Sequence, residues 1–205
     1  MKIQVAIDRV TLNKAIEIIE SVKDSVDIIE IGTSLIKDYG LESIRRIRNT
    51  FPDLKILADI KTIDEAEYEF QSAYRAGADI LTVMGSANID SIEICKNIAL
   101  AHKKEYMIDL LEVSDDKKNQ LKKFRDAIFC VHLPSDKEGQ GLKELVQKSS
   151  KELSDCPRLA VAGGLSLKTL LIIKESGFEI AIVGGAITKA EDIKEAAYIF
   201  SREAR

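Results

Sequence analysis

Short apolar runs rich in β-branched residues alternate with longer stretches of helical periodicity along the whole chain. Eight such runs predict strands at residues 3–8, 27–32, 55–59, 79–84, 106–111, 127–132, 158–163 and 179–184. Their starts lie 21 to 31 residues apart, which accommodates one strand, one helix and two short loops. The spacing therefore predicts parallel strands joined by helical crossovers.

The segments between the runs carry apolar residues at the spacing of a helix face. The first of these stripes contains Leu12, Ala15, Ile16, Ile19 and Val22. Thr11 is placed to cap that helix, and Ser166 to cap a later one. A further stripe begins at Leu41 after Gly40, and the last helix is predicted near residues 190–202.

Eight strands alternating with eight helices predict an α/β fold, a single-domain (β/α)8 TIM barrel that spans residues 1–205. An open doubly wound sheet uses the same alternation but usually has about five or six strands. The count of eight therefore favours a closed barrel.

Composition and charge narrow the function classes. The chain is 45% apolar and carries a net charge of −4 without a basic block, so neither nucleic acid nor a membrane surface is an expected partner. Asp8 and Arg9 interrupt the first apolar stretch, and no secretion signal is predicted. The three cysteines have no C-x-x-C spacing, which predicts reduced, buried thiols and a cytoplasmic protein.

The ends of the predicted strands carry the candidate chemistry. In a parallel barrel the active site lies at the mouth where the strands end. Six strand ends carry ionisable or hydroxyl groups, namely Asp8, Glu30, Asp59 with Lys61, Thr82, Asp109 and His132. His132 is an acid/base candidate, whereas His102 is predicted at a solvated helix end.

The densest group is the D-x-K-x-x-D segment formed by Asp59, Lys61 and Asp64. Residues two apart on a strand share a face, so Asp59 and Lys61 are both predicted to point into the mouth. A purely structural alternative is an Asp59–Lys61 ion pair with Asp64 capping the next helix. Lys61, between acids, is predicted to stay protonated and to stabilise an oxyanion rather than form a Schiff base.

Two further groups of residues predict ligands. Glu30 and Asp59 end neighbouring strands and could share Mg²⁺, which prefers oxygen ligands; the alternative is a Glu30–Lys61 salt bridge. Glycine pairs follow the last two strands, where barrels often bind phosphate. The predicted substrate-binding residues are these glycines and one acid: Gly163, Gly164, Gly184, Gly185 and Asp109.

The chain resembles the 3-hexulose-6-phosphate synthase family of the orotidine-monophosphate decarboxylase superfamily. The matching stretches are residues 4–8 (QVAID), 26–33 (VDIIEIGT), 58–64 (ADIKTID), 76–79 (AGAD), 161–164 (VAGG) and 183–187 (VGGAI). The resemblance implies a Mg²⁺-assisted aldol condensation of formaldehyde with D-ribulose 5-phosphate. It makes Glu30 and Asp59 metal ligands, Lys61 the group that stabilises an enediolate, and His132 the acid/base candidate. It also implies a homodimer in which Asp64 reaches into the neighbour's site.

Two alternatives to the synthase remain open. The first is 3-keto-L-gulonate-6-phosphate decarboxylase, which shares the metal site but has an arginine where this chain has Ser135 and a glutamate where it has Asp109. The second is a non-catalytic barrel that binds phosphosugars. The chain departs from the synthase pattern at Glu112, where the synthases usually have glycine, and after His132, where Leu133 and Pro134 replace small residues.

Overall fold

The strands close into a parallel barrel in chain order. The computed structural model describes residues 1–133 and 141–205, and every strand pairs with its neighbours in sequence, with the eighth returning to the first. The strands are β1 Lys2–Ile7, β2 Ile28–Ile31, β3 Ile56–Thr62, β4 Ile80–Met84, β5 Glu105–Asp109, β6 Ile128–His132, β7 Leu159–Ala162 and β8 Ile180–Val183. The predicted (β/α)8 barrel is confirmed, and the open-sheet alternative is wrong because β8 pairs with β1.

Helices cover the outside of the barrel. They are α1 Leu12–Val22, α2 Thr33–Tyr39, α3 Leu41–Thr50, α4 Ala66–Ala76, α5 Ile89–Ala101, α6 Asp115–Leu121, α7 Leu142–Glu152, α8 Leu167–Glu175, α9 Gly185–Thr188 and α10 Ile193–Ala204. The sequence analysis predicted eight helices and missed two short ones. These are α2, which follows β2, and the single turn α9, which follows β8. Within the described residues, no helix has the length and apolar character needed to cross a bilayer.

The predicted helix caps are formed. The Thr11 side chain accepts a hydrogen bond from the backbone of Lys14, and Ser166 forms a capping box with Thr169. The last helix begins later than predicted because Asp192 caps it through the amide of Glu195. These caps satisfy backbone donors that a helix start leaves unpaired.

The barrel interior is apolar below the mouth and polar at the mouth. The inner cluster consists of Ile28, Leu57, Ile80, Met107, Ile128, Cys130, Ala160, Ala162, Ile180 and Ile182. Above it, Glu30, Asp59, Thr82 and Asp109 are buried although polar. Burying a polar group lowers stability unless the group is paired. This polar layer is therefore the part of the barrel interior where burial is least favourable. The three cysteines are buried and free, as predicted.

The opposite end of the barrel is closed by ion pairs. Arg158 donates to Glu179 at 2.9 Å and to Glu105 at 2.5 Å. Lys2 extends the network to Glu179 at 3.0 Å, and Lys55 contacts Glu105. Lys2 and Glu105 are the first residues of β1 and β5, and the other three side chains directly precede β3, β7 and β8. The network therefore ties together strands that are distant in sequence.

Candidate active site

An irregularity in β3 brings Lys61 into the mouth. The register between β3 and β4 shifts between Ala58 and Thr62, and Lys61 has a φ of +48°. Its backbone amide donates to Thr82 Oγ1 at 2.9 Å. Asp59 and Lys61 both line the cavity at the mouth, as predicted from their spacing.

The ammonium group of Lys61 lies between two carboxylates. Its Nζ is 2.6 Å from Asp109 Oδ2 and 3.2 Å from Asp59 Oδ2. Burial would lower the pKa of Lys61, but Asp59 and Asp109 raise it above its usual value. The lysine is therefore a fixed cation. The Asp59–Lys61 ion pair of the structural alternative is present, whereas the alternative Glu30–Lys61 salt bridge is not among the ion pairs of residues 1–133 and 141–205.

Asp109 organises the other side of the mouth. Its Oδ2 is 3.0 Å from His132 Nδ1, and its Oδ1 accepts from the amide of Leu111 at 2.9 Å. Burial opposes the charge of Asp109, but the His132 hydrogen bond and Lys61 outweigh it and hold the pKa at about 2. An ionised carboxylate only accepts hydrogen bonds, so Nδ1 of His132 is the donor to Asp109, and Nε2 is the ring nitrogen that this contact leaves available.

Glu30 and Asp59 form an oxygen-rich pair in which Asp59 shares the Lys61 ammonium group with Asp109. Both are buried; burial first, and then the charge of Asp59, raises the pKa of Glu30 to about 8. Asp59 accepts from Thr33 Oγ1 at 2.5 Å and from Thr82 Oγ1 at 2.8 Å. With Asp109, the site holds three carboxyl groups around the ammonium group of Lys61. A divalent cation between Glu30 and Asp59 would relieve this repulsion, so the residues fit Mg²⁺.

Gln4 supports Glu30 from below. This side chain on β1 is completely buried, and its Nε2 donates to Glu30 Oε2 at 2.6 Å. Its Oε1 is buried without a hydrogen-bond partner among the described residues. A buried side-chain amide with one unpaired oxygen lowers the stability of the fold. This cost is typical of a residue that positions a functional group, here Glu30.

Asp8 and Asp64 lie at the exposed rim. Asp8 follows β1 and accepts from the amide and hydroxyl of Ser34 at 3.1 and 2.8 Å. Asp64 is exposed after β3. The structural alternative, a helix cap by Asp64, is wrong, because Glu65 occupies the N-cap position in a left-handed conformation with φ +51° and without a side-chain cap.

The glycine pairs lie at the mouth as predicted. Gly163 follows β7 with φ +102°, and a Cβ there would lie 2.3 Å from the carbonyl oxygen of Leu133. Only glycine allows this approach of two strand ends. Gly164 has φ +64°, and Gly184 and Gly185 connect β8 to α9. His102 lies away from the mouth, because it is at the end of α5 and stacks on Tyr74.

Pro134 and Ser135 lie outside the described residues.

The sequence of the chain matches one known protein family over almost its whole length. Residues 1–199 match the family described as Orotidine 5'-phosphate decarboxylase / HUMPS family. The chain belongs to this family.

Within the Orotidine 5'-phosphate decarboxylase / HUMPS family, the chain is similar to 3-hexulose-6-phosphate synthases and to KGPDC. It is 34% identical to 3-hexulose-6-phosphate synthase of Bacillus subtilis (strain 168) over 200 residues, 96% of this chain and 95% of that protein. The 3-hexulose-6-phosphate synthase structure from Salmonella typhimurium has a TM-score of 0.92 at 32% identity and covers 100% of this chain and 98% of its own. A structure of KGPDC from Streptococcus mutans has a TM-score of 0.91 at 29% identity, over 99% of this chain and 96% of its own.

These relatives confirm the predicted resemblance. They also show that the chain is an enzyme of the 3-hexulose-6-phosphate synthase-like carbon–carbon lyases. A non-catalytic barrel is not supported by them. The decarboxylase alternative is represented by KGPDC, and its likeness to the chain is no greater than that of the synthases.

The residue-by-residue prediction missed three residues of the candidate site. They are Gln4, which holds Glu30, Thr33, which donates to Asp59, and Cys130, which lines the cavity. A signal existed for Gln4 because it is the polar member of the apolar run 3–7. Neither Thr33 nor Cys130 stands out in sequence, since hydroxyls at strand ends and cysteines within strands are ordinary.

Proposed function

We propose that the protein condenses formaldehyde with D-ribulose 5-phosphate to D-arabino-hex-3-ulose 6-phosphate. A proton leaves the carbon next to the pentulose ketone, and the resulting enediolate attacks the carbonyl carbon of formaldehyde. The new alkoxide takes up a proton, so both substrates are consumed in a single product. The relatives named 3-hexulose-6-phosphate synthase support this reaction. The observation that carries it is the Lys61 ammonium group held between two buried carboxylates at the mouth.

Lys61 stabilises the enediolate in this proposal. The intermediate develops negative charge on oxygen, and a fixed cation in a water-poor site lowers its energy without reorganisation. The carboxylates of Asp59 and Asp109 keep Lys61 protonated, so it acts as an ammonium ion and not as an amine nucleophile.

His132 is the proposed acid/base. Its Nδ1 is held by Asp109 at 3.0 Å, which leaves Nε2 to accept and return a proton at the mouth. Asp109 was also predicted to bind substrate. Because its oxygens already contact Lys61, His132 and Leu111, we propose that it acts through Lys61 and His132.

Glu30 and Asp59 are the proposed Mg²⁺ ligands. When bound, the ion polarises oxygens of the pentulose and stabilises their negative charge. Gln4 holds one oxygen of Glu30, while Thr33 and Thr82 orient Asp59. The oxygen-only donor set supports magnesium over a softer metal at this position.

Substrate affinity comes mainly from the phosphate group, because formaldehyde offers almost no surface to bind. We propose that the glycine pairs hold the phosphate, since their backbones can approach it closely. One pair, Gly163 and Gly164, follows β7, and the other, Gly184 and Gly185, follows β8. Asp8 follows β1, the strand that pairs with β8, and we propose it as a catalytic-site residue that contacts the sugar hydroxyls.

We also propose a homodimer with shared sites. Asp64 lies on the rim beside Ile63, which is 54% exposed, and near Tyr68, which is 69% exposed. Exposed large apolar side chains of this kind are typical of protein interfaces. A partner on this face would bring Asp64 to a neighbouring mouth.

The proposed reaction takes place in a reducing compartment, for which the cytoplasm is the expected location. All three cysteines are buried as free thiols. Free thiols of this kind are typical of proteins that are kept reduced.

The test is to incubate the purified protein with formaldehyde and D-ribulose 5-phosphate and to identify products by NMR. We expect formaldehyde loss that requires the pentulose, stops with EDTA and returns with Mg²⁺. Lys61→Ala should lower the rate by about 10³-fold or more with an unchanged circular dichroism spectrum. The matched control is Lys14→Ala, an exposed lysine paired with Glu17, which should keep the rate.

Three outcomes would contradict the proposal. They are no formaldehyde consumption, consumption that ignores EDTA, and an unchanged rate in Lys61→Ala. Carbon dioxide release from 3-keto-L-gulonate 6-phosphate, at a higher rate than formaldehyde loss, would favour the decarboxylase instead.

A further inference from the structure

The wall of the mouth formed by β5 and β6 carries a thiol that the proposed mechanism does not use. Cys130 is 3% exposed and is paired in register with Asp109 on the adjacent strand. His132 lies two residues further along β6 and lines the same cavity. One ligand atom each from Asp109, Cys130 and His132 lies within 4.8 Å of the other two.

This cluster has the donor chemistry of a zinc-type site. Thiolate, imidazole and carboxylate bind Zn²⁺ at about 2.3, 2.0–2.1 and 2.0–2.2 Å, which separates ligand atoms by roughly 3.3–3.7 Å in a tetrahedron. Side-chain movements of about 1 Å would close the observed cluster to that size. The three residues stand on two hydrogen-bonded strands, so the backbone already holds them together.

The cluster differs in ligand type from the proposed magnesium pair. Glu30 and Asp59 offer oxygen atoms only, whereas Cys130 adds a soft sulfur ligand that favours zinc or cadmium over magnesium. Lys61 Nζ now sits 2.6 Å from Asp109 Oδ2. A metal ion bound to Asp109 would take the place of this ammonium group.

We propose that Asp109, Cys130 and His132 form a site for a borderline-soft divalent cation such as Zn²⁺ or Cd²⁺, separate from the magnesium pair. Binding forms a metal–sulfur bond, and the thiol proton of Cys130 goes to the solvent. The bound ion draws Asp109 away from Lys61 and occupies a ring nitrogen of His132. It therefore inhibits the enzyme, a consequence that rests on the proposed function.

The binding test uses the metal-free full-length protein titrated with Cd²⁺, which gives an ultraviolet charge-transfer band when it binds a thiolate. We expect one equivalent to produce the band in the wild-type protein, with Zn²⁺ displacing it. Cys130→Ala and the closer isostere Cys130→Ser should lose the band and bind Zn²⁺ about 100-fold more weakly by calorimetry. The matched control Cys95→Ala, which removes another buried thiol, should keep both.

Two further measurements separate this proposal from the proposed reaction. Glu30→Gln should keep the Cd²⁺ band, because that residue belongs to the magnesium pair. At saturating Mg²⁺, Zn²⁺ should inhibit the wild-type enzyme, and Cys130→Ser should need about 100-fold more Zn²⁺ for half-inhibition of its own zinc-free rate. No band in the wild-type protein, or a band that persists in both Cys130 variants, overturns the site whatever the reaction proves to be. A band lost in Glu30→Gln overturns its separation from the magnesium pair.

Discussion

Replacing Lys61 by methionine keeps a long unbranched side chain in the mouth but removes its charge. The Nζ of Lys61 is 2.6 Å from Asp109 and 3.2 Å from Asp59, and both carboxylates are buried. In the variant these acids and Glu30 face one another without an ammonium group. The perturbation therefore tests whether Lys61 holds the site together electrostatically.

The magnitude follows from Asp109. Burial opposes its charge, yet the His132 hydrogen bond and Lys61 hold the folded pKa at about 2 against 3.8. At about 1.4 kcal/mol for each pKa unit, the ionised group contributes on the order of 2 kcal/mol. Removing one partner of a buried ion pair typically costs about 3–5 kcal/mol. Because His132 remains, we expect Lys61→Met to lower the free energy of unfolding by about 2–4 kcal/mol near neutral pH.

The sign of the pH dependence is fixed by the lowered pKa. A group whose folded pKa lies below its unfolded value stabilises the protein above the unfolded pKa, here 3.8, and loses that contribution as pH falls toward about 2. The difference between wild-type protein and Lys61→Met should therefore be largest near neutral pH and shrink below about pH 4.

Urea unfolding followed by circular dichroism, from about pH 7 to about pH 3, measures this difference. Lys14→Met is the matched control, because Lys14 and its partner Glu17 are both exposed, and it should change stability by less than about 0.5 kcal/mol. A loss in Lys61→Met that is as small as the control's, or the same at every pH, would refute the electrostatic role of Lys61.

Three further substitutions test the support around the site and the fold. Gln4→Leu removes the donor to Glu30 and should weaken Mg²⁺ binding about 10–100-fold by calorimetry; unchanged affinity would exclude a positioning role. Gly163→Ala places a Cβ 2.3 Å from the Leu133 carbonyl oxygen at φ +102° and should cost more than about 2 kcal/mol. An unaltered melting temperature would disprove that close approach. Arg158→Met breaks pairs with two glutamates at the far end of the barrel. It should lower the free energy of unfolding by about 1–2 kcal/mol, less at high salt, without changing the catalytic rate; a salt-independent loss would contradict the ion-pair explanation.

The strand positions were predictable because apolar runs and helical stripes alternate without interruption. The first strand, predicted at residues 3–8, is Lys2–Ile7, and the sixth, predicted at 127–132, is Ile128–His132. The largest difference is in β3, predicted at 55–59 and observed at Ile56–Thr62. Its last residues have polar side chains that a hydrophobic pattern does not assign to a strand.

Which residues belong to the site was easier to predict than which of them contact one another. Spacing placed Asp59 and Lys61 on one face, but the closest carboxylate to Lys61 belongs to Asp109, 48 residues away. That contact depends on the registers of β3, β4 and β5, which no local pattern specifies. The hydrogen bond between Asp109 and His132 depends on register in the same way.

One departure from the family pattern has a backbone explanation. The family resemblance predicts a glycine at the position of Glu112, and Glu112 has a φ of +55° in the left-handed region. Glycine adopts this conformation without strain, whereas a side chain with a Cβ does so at some cost.

Lys61 gives the clearest case of local strain kept at the site. Its φ of +48° is unfavourable for a long side chain and costs on the order of 1 kcal/mol. The conformation persists because Thr82 Oγ1 accepts the Lys61 amide, and the same hydroxyl donates to Asp59. A regular strand would continue the β3–β4 register past Ala58, whereas the observed register shifts there. At this shifted position Lys61 reaches two strands across to Asp109 and also contacts Asp59. The strained residue therefore joins the Glu30–Asp59 pair to the Asp109–His132 pair.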